Sequence, residues 1–169
     1  MLTKIAAYIT GSKIARQNSN RHRQFLNWNK IEKIALFIDN SESVNKNETD
    51  KLLEGLKKHI EVCYLQLNSK QPAYGDWKCL VKKDKNILSL PVKSLAAELQ
   101  SKNYDLIVSV SKRYPLYSAN AASQVKSSFK CGNKNLFGEL DLIIERKDSQ
   151  DLISYLKEVF KYLQMIKTG

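Results

Sequence analysis

Glycine and proline are scarce in this chain, six and three among 169 residues. None of the glycines falls where a phosphate-cradling turn needs one. A dinucleotide-binding GxGxxG turn sits directly after a first strand, because only residues without side chains allow a pyrophosphate to approach the backbone. The corresponding positions here read Asp39-Asn40-Ser41-Glu42-Ser43, with two acids and no glycine. The GxxxxGK[ST] phosphate loop, the GxSxG nucleophile turn and the HExxH metal helix are absent as well.

Metal and thiol chemistry is equally thin. The three cysteines, Cys63, Cys79 and Cys131, form no CxxC pair, and only His22 and His59 accompany them. Ligands at zinc spacing are lacking, and an odd cysteine count argues against a disulfide framework. No apolar run approaches the about 20 residues needed to cross a bilayer. The opening MLTKIAAYITGSKIARQ breaks its apolar residues with Lys4, Thr10 and Ser12, unlike a signal peptide. The expectation is a cytoplasmic protein without a metal, a cofactor or a transmembrane segment.

Acidic residues are the minority: 17 Asp/Glu face 28 Lys/Arg, for a net charge of +11. The excess is concentrated in two places. Residues 1–33 hold seven Lys/Arg against one acid, and residues 104–138 hold five against one. Such a distribution suits a polyanionic partner, whether a phosphorylated ligand, nucleic acid or an anionic membrane surface. It also suits plain solubility.

Periodicity predicts alternating strands and helices. Leu2, Ile5 and Ile9 mark one stripe of a short helix ending near Gly11 or Ser12, within a basic leader of residues 1–20. Phe25, Leu26 and Trp28 then serve as anchors onto a domain of residues 21–169. Ile34–Ile38 is the first strand, followed by a helix capped at Asn47 or Thr49 and running to His59, and by a strand at Val62–Leu67. Residues 68–86 read as a long loop with room for a short edge strand. Ile87–Leu90 reads as a strand, and Pro91 opens a helix. Leu106–Val110, Ser127–Cys131 and Leu140–Glu145 are further strands, with a helix over Tyr117–Val125 between the first two. The last helix, with Leu152, Leu156, Val159, Leu163 and Ile166 on one face, takes Ser149 as cap. This alternation implies an α/β fold, a single three-layer Rossmann-like sandwich with a mostly parallel sheet. Asp105 and Asp141 fall at strand starts, the wrong end of such a sheet for a ligand site.

The polar segment after the buried run Leu106–Val110 is the candidate site. Open parallel sheets bind ligands beyond the carboxyl ends of their strands. There this chain places Ser111, Lys112 and Arg113 just before a helix starting near Pro115. Together with Ser118, Lys126 and Lys130 they form an anion-binding set of charged donors, hydroxyls and helix N–H groups. Asp39, at the end of the first strand, is the candidate acid–base residue.

The order IALFID, YDLIVSVS, a Ser/Ala-rich helix, FKCG, LDLIIE and a terminal KYLQMIK helix resembles a family of small uncharacterised bacterial proteins over roughly residues 21–167. The pieces Asp105–Ser109, Ser118–Val125 and Lys130–Gly132 more distantly resemble the N-terminal half of heptosyltransferase-type glycosyltransferases. Those enzymes bind the nucleotide sugar on a second domain, for which 169 residues leave no room. That resemblance implies the fold rather than the transferase activity.

Three functional readings follow. The leading one is a non-enzymatic domain binding an anionic, phosphorylated or protein partner beyond Ser111–Arg113. A reduced sugar- or nucleotide-processing enzyme domain using Asp39 is the alternative. Sequence-independent nucleic-acid binding through residues 13–33 is the third, and a basic face joining the leader to Lys126 and Lys130 would favour it.

Overall fold

The computed structural model describes residues 2–24, 26–39, 44–70, 72–88 and 90–166. Phe25, one of the expected anchors, and most of the loop after Asp39 lie outside the described residues. Six strands form one sheet: β1 (Lys33–Asp39), β2 (His59–Gln66), β3 (Lys78–Val81), β4 (Asn103–Val110), β5 (Lys126–Gly132) and β6 (Leu142–Ile143). Their spatial order is β3-β2-β1-β4-β5-β6, and every pairing is parallel. This is the doubly wound Rossmann-like order, with the strand direction of travel reversing between β1 and β4.

Side chains alternate between two apolar layers, as a sheet covered on both faces requires. Ile34, Leu36, Ile38 and Val108 point to one face, where α2 (Lys46–Gly55) and α5 (Leu152–Met165) cover them with Leu53, Leu156, Val159 and Leu163. Leu26 and Trp28 join this cluster, and Trp28 meets Phe160 edge-on at 6.1 Å. Ala35, Phe37 and Ile107 point to the other face, against Leu95 and Leu99 of α3 (Lys93–Ser101) and Tyr117 and Ala121 of α4 (Pro115–Gln124).

The N-terminal helix differs most from the sequence expectation. It runs as α1 over Leu2–Ser19, through Gly11 and Ser12 rather than ending there. A Cβ on Gly11 would stand 3.1 Å from the Phe137 ring, so the glycine is a contact point rather than a stop signal. The buried stripe is Ala6, Thr10 and Ile14, whereas Ile5 is 44% exposed. The helix α1 packs against α4, which touches α3 and the sheet as well. Every residue of α4 from Tyr117 to Gln124 is buried in consequence, which explains its run of Ala, Ser and Asn where larger side chains would not fit.

Smaller differences have local causes. Ile87–Leu90 is not a strand: Ile87 is 82% exposed, and the Asn86 side chain accepts the Leu88 and Leu90 N–H groups in a turn. The edge strand is β3, within the 68–86 segment that left room for a short edge strand. The helix α2 starts earlier, on Asn45, whose side chain accepts the Glu48 N–H. It stops at Gly55, before the left-handed Lys57 (φ 53°), and leaves His59 to open β2. Asp151 rather than Ser149 caps α5, accepting the Ser154 N–H at 2.9 Å. The expected strand Leu140–Glu145 shrinks to Leu142–Ile143.

Candidate functional site

In the crevice at the β1/β4 reversal the chain brings together part of the expected set. Ser111, Lys112 and Arg113 follow β4, and Pro115 occupies the first position of α4. What fills the crevice is Asp39. Its Oδ2 accepts the Ser111 hydroxyl at 2.8 Å and the backbone N–H groups of Lys112, Arg113 and Tyr114 at 2.6, 2.7 and 3.0 Å. Asp39 is 4% exposed and Ser111 2%. A cup of successive N–H groups before a helix is an anion-binding shape, and here the chain supplies the anion from its own first strand.

The surrounding polar groups are also committed. The Asn133 side chain spans the Ser111 backbone, accepting its N–H and donating to its carbonyl, both at 2.8 Å. The Ser118 hydroxyl is paired with that of Ser109 at 3.0 Å. Gly132, opposite Ser109 in the β4–β5 register, admits no side chain, since a Cβ would lie 2.2 Å from the Ser109 carbonyl oxygen. The Arg113 guanidinium lies over the Tyr114 ring, 5.7 Å from its centroid. The crevice is therefore a closed structural junction that joins β1, β4, β5 and α4.

Lys126 and Lys130 are elsewhere. Lys126 opens β5, so in a parallel sheet it lies at the end opposite Ser111. It lines a groove of about 810 Å³ between α1, the start of β5 and the C-terminal ends of α3 and α4. The same wall holds Lys13, Arg16, Arg21, His22 and Lys130, and no Asp or Glu. The structure thus divides the expected set, with Ser111, Lys112, Arg113 and Ser118 at one end of the sheet, Lys126 at the other, and Lys130 in mid-strand with its side chain lining the same groove as Lys126.

One cation of this wall, Lys130, is buried, and a second, Arg21, is largely withdrawn from solvent. Alternation along β5 sends Phe129 and Cys131 into one core layer and leaves Lys130 facing α4 and α1, 4% exposed. Its ammonium donates to the Ala122 carbonyl at 3.2 Å, near the C-terminal end of α4 where cations are favoured. Burial and then the neighbouring Arg21 pull its pKa down to about 7, against the opposing pull of Asp141 and Glu139. The Arg21 side chain is 10% exposed and bonds Asp141 at 2.5 Å, while Asp141 also accepts the Lys130 backbone N–H at 2.8 Å. Arg21 Nε and Nη1 are buried with no hydrogen-bond partner among the described residues, as is Gln17 Oε1 on the same wall. Buried orphan donors are rare in native proteins and call for an explanation.

Arg21 was missed as a site residue because its side chain is placed by α1 and by Asp141, 120 positions away. The readable signal was a lysine in mid-strand: in KSSFKCG, alternation alone buries Lys130. Asp105 and Asp141 are structural, as their positions suggested. The Asp105 carboxylate accepts the Glu32 and Lys33 N–H groups at 2.8 and 2.9 Å and so tethers the start of β1.

Among the described residues no group of three or more His, Cys, Asp or Glu could hold a metal ion, and no helix is long and apolar enough to cross a membrane. Comparison with curated proteins gives no match, and neither does comparison with solved structures. A family model matches residues 3–166, taking in the leader helix as well as the sheet, and by it the chain belongs to a family of unknown function, DUF6913.

Proposed function

We propose that this protein is a non-enzymatic binding domain for an anionic, phosphorylated ligand, held in the basic groove beside α1 rather than in the β1/β4 crevice. The observation that carries this reading is a groove wall with five Lys/Arg side chains and no carboxylate. Positive groups gathered on a concave surface raise the local concentration of anions and supply charge-assisted hydrogen bonds to phosphate. In the crevice the backbone donors already serve Asp39, and a second anion there would meet that carboxylate. The commitment of Asp39 Oδ2 to four donors also argues against Asp39 as an acid–base residue. The three free cysteines suit a reducing, cytoplasmic setting.

Nucleic acid is the second reading, because the groove joins the leader to Lys126 and Lys130 on one basic wall. Among the described residues the wall offers no Phe, Tyr or Trp on which a base could stack. Thermal melts of the wild type and two double variants, with pyrophosphate and a panel of phosphorylated metabolites, test the proposal. The wild type should be stabilised, Lys13→Ala/Lys126→Ala should lose the shift, and Lys112→Ala/Arg113→Ala should keep it. Loss in the second variant and retention in the first returns the site to the crevice. A wild type unmoved by every phosphorylated compound, but binding a fluorescent duplex with a steep salt dependence, favours nucleic acid.

A further inference from the structure

The groove has a second chemical character besides its charge. Between the cations its described lining is mostly carboxamides and hydroxyls, with the His22 imidazole and Val125 as the exceptions. Ligand sites are ordinarily lined by apolar and aromatic side chains with a few polar groups, so this composition is selective. Gln17, Asn20 and Asn103 line the groove with amides that make no hydrogen bond to the described residues, and Ser128 adds a hydroxyl in the same condition. Each amide can both donate and accept, which matches the dual character of an alcohol. Among the described residues of the wall, the His22 imidazole is the one ring and Val125 the one alkyl side chain.

The cations are graded in depth. Lys13, Arg16 and Lys126 are exposed, whereas behind them Lys130 is buried and Arg21 largely withdrawn from solvent. The α4 carbonyl of Ala122 accounts for Lys130, and Asp141 accounts for one nitrogen of Arg21. Neither accounts for the remaining guanidinium donors or for the three exposed cations that converge on the same wall. A phosphate monoester would answer to the charge, and a hydroxyl-bearing body to the amides.

We infer that the groove takes a small, hydroxyl-rich phosphate monoester, a sugar or polyol phosphate, with the phosphate toward the Lys/Arg side chains and the hydroxyls toward Gln17, Asn20 and Asn103. The inference rests on the anion-binding reading above and narrows it to one ligand class. Nucleotides are disfavoured because, among the described residues, their base would lie mostly against amides with the exposed His22 imidazole alone to stack on, and free phosphate because it leaves the amides unused.

Calorimetric titration of the full chain with glucose 6-phosphate, glycerol 3-phosphate, inositol monophosphate, inorganic phosphate, AMP and unphosphorylated glucose tests it. At least one polyol phosphate should bind about tenfold or more tighter than both inorganic phosphate and AMP, with glucose silent; one decade corresponds to about 1.4 kcal/mol. Lys13→Ala/Lys126→Ala, two exposed positions, should weaken all phosphorylated ligands at unchanged melting temperature. Asn103→Ala, also exposed, should reduce the preference for polyol phosphate over inorganic phosphate while leaving phosphate affinity in place. AMP or inorganic phosphate binding as tightly as the polyol phosphates overturns the ligand class and leaves the anion site standing. Absence of binding by any phosphorylated compound overturns both.

Discussion

At the scale of single residues, Asp39 shows how one side chain can close a site that the fold leaves open. The reversal between β1 and β4 is where a doubly wound sheet offers backbone donors to a ligand, and Asp39 Oδ2 takes three of those N–H groups and the Ser111 hydroxyl. Asp39→Ala would leave these buried donors without an acceptor. Removing one partner of a buried, charge-assisted network costs about 3 kcal/mol, which for a domain of this size lowers the melting temperature by about 6–12 °C. Thermal denaturation followed by circular dichroism checks this, and a change under about 2 °C would mean that Asp39 contributes no more than a surface residue. The sequence made Asp39 visible as a loop residue after a first strand. Its partners were not legible, because they lie more than 70 positions away and three of them are backbone groups, which carry no sequence signature. Ser118 was legible as a polar residue on a small-residue helix, yet its pairing with Ser109 depends on how α4 seats on β4.

At the scale of elements, the strands were read best where burial alone dictates them. Leu106–Val110 and Ile34–Ile38 are continuous apolar runs in central strands, and both fall inside observed elements. Edge elements carry less burial and are less legible: the 68–86 segment leaves room for the short edge strand β3 without placing it, Ile87–Leu90 reads as a strand that does not form, and β6 reads as longer than its two residues. The leader helix was misjudged for a different reason. Its buried stripe is Ala6, Thr10 and Ile14, and two of the three, a small side chain and a polar one, escape a search for large apolar residues. Because α1 completes the cover of α4, deletion of residues 1–20 should destabilise the protein. A fall of about 10 °C or more in melting temperature is expected, well over 1 kcal/mol. A truncated chain that melts within about 2 °C of the full one would show that α1 is only appended to the domain.

At the scale of the whole molecule, the sheet sorts the charge. Its carboxyl end is stitched shut by Asp39, Asn133 and the Ser109–Ser118 pair. Its amino end, between α1 and β5, gathers Lys13, Arg16, Arg21, Lys126 and Lys130 without a carboxylate on the groove wall. Composition disclosed the excess of cations but not their meeting place, since the leader and the start of β5 are separated by over a hundred residues and come together only through the packing of α1 on α4. The most direct test of this account is an amide nitrogen–proton NMR titration of the labelled full chain with pyrophosphate. Saturable shifts confined to residues 13–22 and 123–130, with Lys112, Arg113 and Tyr114 unmoved, are the expected result. Shifts centred on Lys112–Tyr114 with the groove residues silent would contradict it and place the anion in the crevice that Asp39 occupies.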